Sequence, residues 1–228
     1  MRMFFRKITA VLLLAVTLTT LAFTTSCNRK YDEQEVVSEA KKLLKQAEML
    51  NIVYFGTGIS YVDSDENNGY YRQAKYEHLE SLGFFTIDEL KAITADTFTK
   101  EYAESIYSTL LGAVSDGTHL VQAARYYQAY DEETNTPTHI MVYSKYQTLM
   151  KDSMVYNYDT ITVSGVEKEI VLVSVEVVVT NSEGESQTAK IIVQMIEEDN
   201  GWRINNPTYV NYNPYLDKYN ELKDNKIK

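Results

Sequence analysis

The chain has 228 residues, of which 44% are hydrophobic and 24% charged, with 22 basic and 32 acidic side chains and a formal charge of −10. That apolar share is enough for a packed core, and the negative balance repels polyphosphates, so nucleic acid is excluded as an expected partner. A single cysteine cannot close an internal disulfide, so packing alone must hold the fold. The N-terminus then reads as an address: Arg2, Arg6 and Lys7 precede an almost uncharged apolar run, Ile8 to Phe23. A positive region followed by a short apolar run is the layout of a secretory signal and not of a domain.

Thr24, Thr25 and Ser26 follow, and then Cys27. This junction resembles a bacterial lipoprotein signal, in which a small residue stands before the acylated cysteine. Thr24 departs from the pattern, since an apolar residue is usual three places before the cysteine. The resemblance implies removal of residues 1–26 and a diacylglyceryl group on Cys27, which would fix the chain to the outer face of the bacterial cell membrane. One acyl chain holds a protein only marginally, whereas two give a stable anchor. The competing reading is an ordinary cleavage site with an unmodified thiol nearby. Cleavage takes away Arg2, Arg6 and Lys7 and no acidic residue, leaving 19 basic against 32 acidic side chains and a formal charge of −13. So acidic a surface does not adhere to anionic headgroups, and the lipid must do the holding.

Residues 27–31 read as a tether, 32–210 as a single domain and 211–228 as a tail or short helix. Asp32 can cap a helix over 33–50, where Val36, Val37, Ala40, Leu43, Leu44, Ala47 and Leu50 recur on one face. Residues 51–76 have no clear period. Within them Asp63-Ser64-Asp65-Glu66-Asn67 alternates oxygen ligands as calcium loops do. The loop glycine then falls one place late, and Ala74 occupies the position of the bidentate glutamate, so an exposed acidic turn is expected. Thr86 with Glu89 forms a capping box ahead of Leu90 and Ile93, and Thr99 can cap a second helix that runs to Gly112.

From His119 the period becomes two. Strands are predicted over 119–130, 139–150 and 154–163, with a bend at Ser164-Gly165. Next comes a hairpin: Val171, Val173, Val175, Val177 and Val179 share one face of residues 170–180, Asn181 to Gly184 turn the chain, and Ala189, Ile191, Val193 and Met195 return. A second turn, Glu198-Asp199-Asn200-Gly201, leads into Trp202-Arg203-Ile204. Pro214, Leu216, Tyr219 and Leu222 suit a last helix.

Helices first and antiparallel strands afterwards is the order of an α+β domain, here with N-terminal helices on one face of a curved sheet of five to six strands. The meander that closes on an acidic turn, glycine, Trp202 and an apolar residue resembles the NTF2-like (cystatin-like) cone found in many small secreted lipoproteins. A looser resemblance joins Leu90 to Tyr107, with Phe98-Thr99 and Glu101-Tyr102-Ala103, to secreted inhibitors of cell-wall DL-endopeptidases.

Signs of catalysis are absent from the sequence. It contains no Gly-x-Ser-x-Gly, His-Glu-x-x-His or Gly-x-x-x-x-Gly-Lys motif, and His78, His119 and His139 lie far from ligand spacing, so no metal or cofactor is expected. NTF2-like enzymes place an acid and a tyrosine inside the cone. Asp159 near Tyr156 and Tyr158 is the nearest parallel, but the catalytic pattern is not matched. Alternation puts Asp159 with Val155, Asn157, Ile161 and Val163, while the tyrosines take the opposite face.

Tyrosine is the anomaly, at 19 residues beside one tryptophan. Its amphipathic ring serves packing and wet interfaces alike. Tyr126, Tyr130, Tyr143 and Tyr146 are the candidate binding surface, with Arg125 and Lys145 as charges at its edge. Ser174 and Glu176, in mid-strand, could instead point into a small polar cavity. The expected function is a lipid-anchored extracytoplasmic module that binds an envelope protein, peptide or cell-wall ligand. An endopeptidase inhibitor and a small-molecule enzyme are the alternatives.

Overall fold

Five valines at alternate positions organise the larger sheet. The computed structural model describes residues 31–63, 70–112, 114–115, 120–198 and 201–213, with side chains left aside at 114–115 and 120–122. Strand β7 (Ile170–Thr180) lies between β6 (Ser153–Glu167) and β8 (Ser186–Glu198), and β9 (Gly201–Ile204) closes a four-stranded antiparallel sheet in the order β6-β7-β8-β9. Val171, Val173, Val175, Val177 and Val179 are all fully buried. Across the ladder they face Met195, Val193, Ile191, Ala189 and Gln187. The turn between β7 and β8 uses Gly184 at φ 83°, a left-handed conformation that costs a glycine little.

Helix α1 (Glu33–Tyr54) joins the same core through Val36, Ala40, Leu43, Leu44, Ala47 and Leu50. Asp32 caps it, its carboxylate accepting from the backbone of Gln34 at 2.9 Å. The helix runs four residues beyond the predicted end at residue 50. Burial of Asn51, Val53 and Tyr54, together with a 2.8 Å hydrogen bond from Tyr54 to Thr94, makes the extra turn favourable where local propensity is neutral. The end of the stretch without clear period, 51–76, holds β1 (Tyr71–Gln73) and the start of α2 (Tyr76–Leu82). Helix α3 (Ile87–Thr97) has the expected capping box, and α4 (Lys100–Leu110) is capped by Thr99. The α3–α4 junction is pinned to β9: Thr99 N–H donates to Ile204 O at 2.9 Å, and Thr99 Oγ1 bonds Asn205 Oδ1 at 2.7 Å.

Strand β2 (Val114–Ser115) pairs with β3 (Leu120–Gln122), and a second sheet carries β1, β4 (Tyr126–Tyr130) and β5 (Pro137–Tyr143) in the order β1-β5-β4. The fold is α+β, and the strands anticipated as one sheet of five to six are distributed over antiparallel sheets of three and four. The predicted strand over 139–150 stops at Tyr143, where Ser144 and Tyr146 enter turns by bonding Tyr70 O and Tyr143 O. The expected bend at Ser164-Gly165 is instead a register shift inside β6, which continues to Glu167, and the chain reverses at Lys168, φ 59°.

A larger shift between Asn157 and Thr162 corrects the predicted alternation of β6. Glu176 N–H donates to the hydroxyl of Thr160 at 2.9 Å, so a side chain takes the place of a ladder carbonyl. The bulge turns Ile161 into the core and leaves Val155 and Asp159 outside. Strand bulges also bend the sheet. Among the described residues no helix is long and apolar enough to cross a membrane. The predicted calcium-like turn falls mostly on residues outside those described, as do His119, Cys27 and the predicted tail helix.

Candidate functional site

In the β1-β5-β4 sheet, Tyr71 lies opposite Tyr143 and Tyr127 opposite Met141. Directly paired residues share a face, so these side chains stand together on its outer side. Their neighbours in sequence, Tyr126, Ile140 and Val142, point inward and are buried. The outer rings touch one another, edge to face in two of three contacts and tilted in the third. Tyr71 is 4.8 Å from Tyr127 and 5.2 Å from Tyr143, and Tyr70 is 5.9 Å from Tyr143. Tyr70 and Tyr127 are 60% and 41% exposed, enough to offer ring faces to a partner. Tyr71 donates its hydroxyl to Ala124 O at 2.7 Å. Burial, then the neighbouring Tyr127 and Tyr143, hold that hydroxyl above the usual tyrosine range, so it stays a neutral donor.

A buried arginine stands beside this face. Arg125 was expected as an edge charge, yet it is 3% exposed. Its guanidinium donates to Tyr54 O and, at 2.6 Å, to Gly56 O. It also lies 4.7 Å from the ring centre of Tyr146 and 5.4 Å from that of Tyr126. Among the described residues no carboxylate pairs with it; carbonyl dipoles and aromatic faces do the balancing. Gly58, at φ 79°, makes room, since a Cβ there would collide with Arg125 Nη2 and Tyr126 Oη. The loop carbonyls at the end of α1 have accepted the charge because a guanidinium presents several donors in one plane.

The four predicted site tyrosines therefore separate. Tyr126 is a core residue, donating to Val53 O at 2.6 Å and accepting from Ile59 N–H at 3.1 Å, and it leaves the candidate surface. Its hydroxyl is raised by burial, against the opposing pull of Arg125. Tyr146 is half-buried over Arg125, and burial likewise raises it. Tyr143 belongs to the outer face, and Tyr130 is exposed near the far end of β4. Lys145 is exposed, as an edge charge should be. Tyr70 and Tyr71 were missed because a three-residue strand after an irregular segment shows no period. The one available signal was the doubled tyrosine after the Asn68-Gly69 turn dipeptide.

The other candidates also fall into place. Asp159 is a surface residue in a 3.5 Å ion pair with Lys41. His78 Nδ1 accepts from Ser60 N–H at 2.7 Å, and His139 Nδ1 lies 3.2 Å from Gln73 Nε2. Among the described residues no cluster of three or more His, Cys, Asp or Glu could hold a metal. Ser174 is buried and bonds Thr162 Oγ1 at 2.9 Å, whereas Glu176 faces solvent and so cannot share a cavity with it. What remains is a surface of ring faces and hydroxyls, suited to stacking and hydrogen bonding. No protein-family model matches the chain, and no curated protein matches it.

Proposed function

We propose that this chain is a lipid-anchored binding module on the outer side of the bacterial cell membrane. The observation that carries the reading is Cys27, the one cysteine of the chain, placed directly after a basic region, an apolar run and three small residues. Its ligand is an envelope protein, peptide or cell-wall fragment, and the face of Tyr70, Tyr71, Tyr127 and Tyr143 is where contact is made. Outward rings held by contacts with one another support this, because they lose little side-chain freedom on binding. The role is binding without catalysis; support comes from Asp159, which sits at the surface in an ion pair.

The fold is proposed as a variant of the NTF2-like cone. In its favour are α1 packed in the core of the long sheet, the bulges that bend β6, and the buried Trp202 that closes the meander against Tyr31 with ring centres 5.3 Å apart. The test is the intact mass of the membrane-fraction protein, for wild type and Cys27→Ala. A mass starting at Cys27 plus acyl groups, lost in the variant together with membrane retention, is expected. A freely released, unmodified chain would overturn the proposal.

A further inference from the structure

A cavity of about 270 Å³, sharing no lining residue with the tyrosine face, lies between the last turns of α1 and the start of β6. Asn51 is one of its lining residues. It is 1% exposed, and its Nδ2 donates to Thr208 Oγ1 at 2.9 Å and to Tyr156 Oη at 3.2 Å, while its Oδ1 has no partner. An orphaned buried acceptor is costly and rare, so it points to a missing donor.

The wall around it has a definite chemistry. Glu48 and Asp152 contribute carboxylates, each with one oxygen already engaged: Glu48 Oε2 accepts from Tyr158 Oη at 2.6 Å, and Asp152 Oδ2 accepts from Tyr212 N–H at 2.7 Å. Their other oxygens have no partner among the described residues. Ile52, Met150 and Met154 supply an apolar wall, and Lys151 stands at the rim with its side chain exposed. The backbone of Met150 is fixed by Phe55 O at 2.8 Å, while its unbranched thioether is the adaptable part of that wall. One orphaned amide oxygen and two carboxylates, each with an oxygen to spare, beside an apolar wall match a group with several N–H donors, a positive charge and a short hydrocarbon body. Two carboxylates are too few for a calcium site, which takes six to eight oxygens. At about 30 Å³ per water, the volume suits a body of six to nine heavy atoms.

We infer that this cavity binds a small primary amine, with its ammonium group between Asn51 Oδ1 and the carboxylates of Glu48 and Asp152 and its chain along Ile52 and Met154. The site stands independently of the anchor and of the tyrosine face.

Titration calorimetry of the purified protein with pentylamine, pentan-1-ol and calcium chloride tests it. Asn51 also holds Tyr156 and Thr208, so its replacement risks the fold, and the variants are Glu48→Gln, Asp152→Asn and Ile52→Trp. Circular dichroism melts serve to check that each variant is folded. Saturable binding of pentylamine is expected, with no binding of the alcohol or of calcium. Affinity should fall at least fivefold in each charge-neutralised variant and vanish in Ile52→Trp, whose side chain fills the space. Absence of saturable amine binding, as when a water alone satisfies Asn51, would overturn the inference. Equal binding of the alcohol, binding of calcium in place of the amine, or amine affinity unchanged in folded Glu48→Gln and Asp152→Asn would do the same.

Discussion

The two sheets are held by different means. In the long sheet, the inner face of β7 is five valines against mostly apolar partners, so its cohesion is apolar burial that tolerates small adjustments. In the three-stranded sheet, the inner face depends on Tyr126 and on the neighbouring Arg125, which reach across about 70 residues of sequence to the end of α1 through the carbonyls of Val53, Tyr54 and Gly56. Polar anchors of this kind fail abruptly, because removing one partner leaves the other buried and unpaired. The same difference frees the outer faces for different uses. The long sheet leaves Val155, Val178 and Ile192 exposed on its outer side, while the short one carries aromatic rings outward.

The sharpest way to break this contrast is Arg125→Met, which keeps the stem and removes the donors. Two buried carbonyls lose a partner at about 1–3 kcal/mol each, so a loss of about 2–6 kcal/mol is expected in urea unfolding. A change below about 1 kcal/mol would show that water replaces the guanidinium. Next in size is the pair Val175→Ala and Val178→Ala, which compares the two faces of one strand. The buried site should cost about 2–3 kcal/mol through lost transfer energy and a cavity, and the exposed one less than about 0.5 kcal/mol. Similar values at both would mean that the outer face is also covered.

Thr86→Ala probes the helix beneath the short sheet, where Ile87 N–H donates to Gln128 of β4 at 3.0 Å. Loss of the cap should cost about 1 kcal/mol. Its partner Glu89 accepts from Phe85 N–H at 2.6 Å and from Thr86 N–H at 3.0 Å, and the first of these chiefly lowers its carboxyl below the usual range. Stabilisation from this box is therefore complete above the unfolded glutamate value, about 4.3, and is lost as pH falls through the lowered folded value. Wild type and Glu89→Gln should converge in acid melts. The smallest effect on folding is expected from Tyr127→Ser, within about 0.5 kcal/mol, yet it removes an outward ring. If the short sheet is the contact surface, this variant should lose retention on purified cell-wall material or on a partner while melting like wild type.

Much of the long sheet was legible because its code is local. Alternating valines, Gly184 in the turn and the heptad-like stripe of α1 each state their own burial, and the caps at Asp32, Thr86 and Thr99 mark helix starts through side chains three residues from their targets. The tyrosine surface was legible only in part. Composition pointed to tyrosine, and β4 and β5 were visible, but alternation alone could not say which face was in. Tyr126 and Tyr130 therefore looked as eligible as Tyr143. Ile161 and Val163 were assigned to the face of Asp159 for a related reason, since a bulge held by Thr160 depends on the partner strand and leaves no mark in the pattern of β6 itself.

By itself the sequence determined the class, the helix starts and the valine face, all of which rest on spacing between near neighbours. Tertiary structure decided the rest. It split the strands between two sheets, drew Arg125 inward onto carbonyls at the end of α1, brought Tyr70 and Tyr71 beside Tyr127 and Tyr143, and left Asn51 with an unpaired oxygen beside two carboxylates. Most of those outcomes join residues far apart in sequence, and only chain closure sets which of them meet.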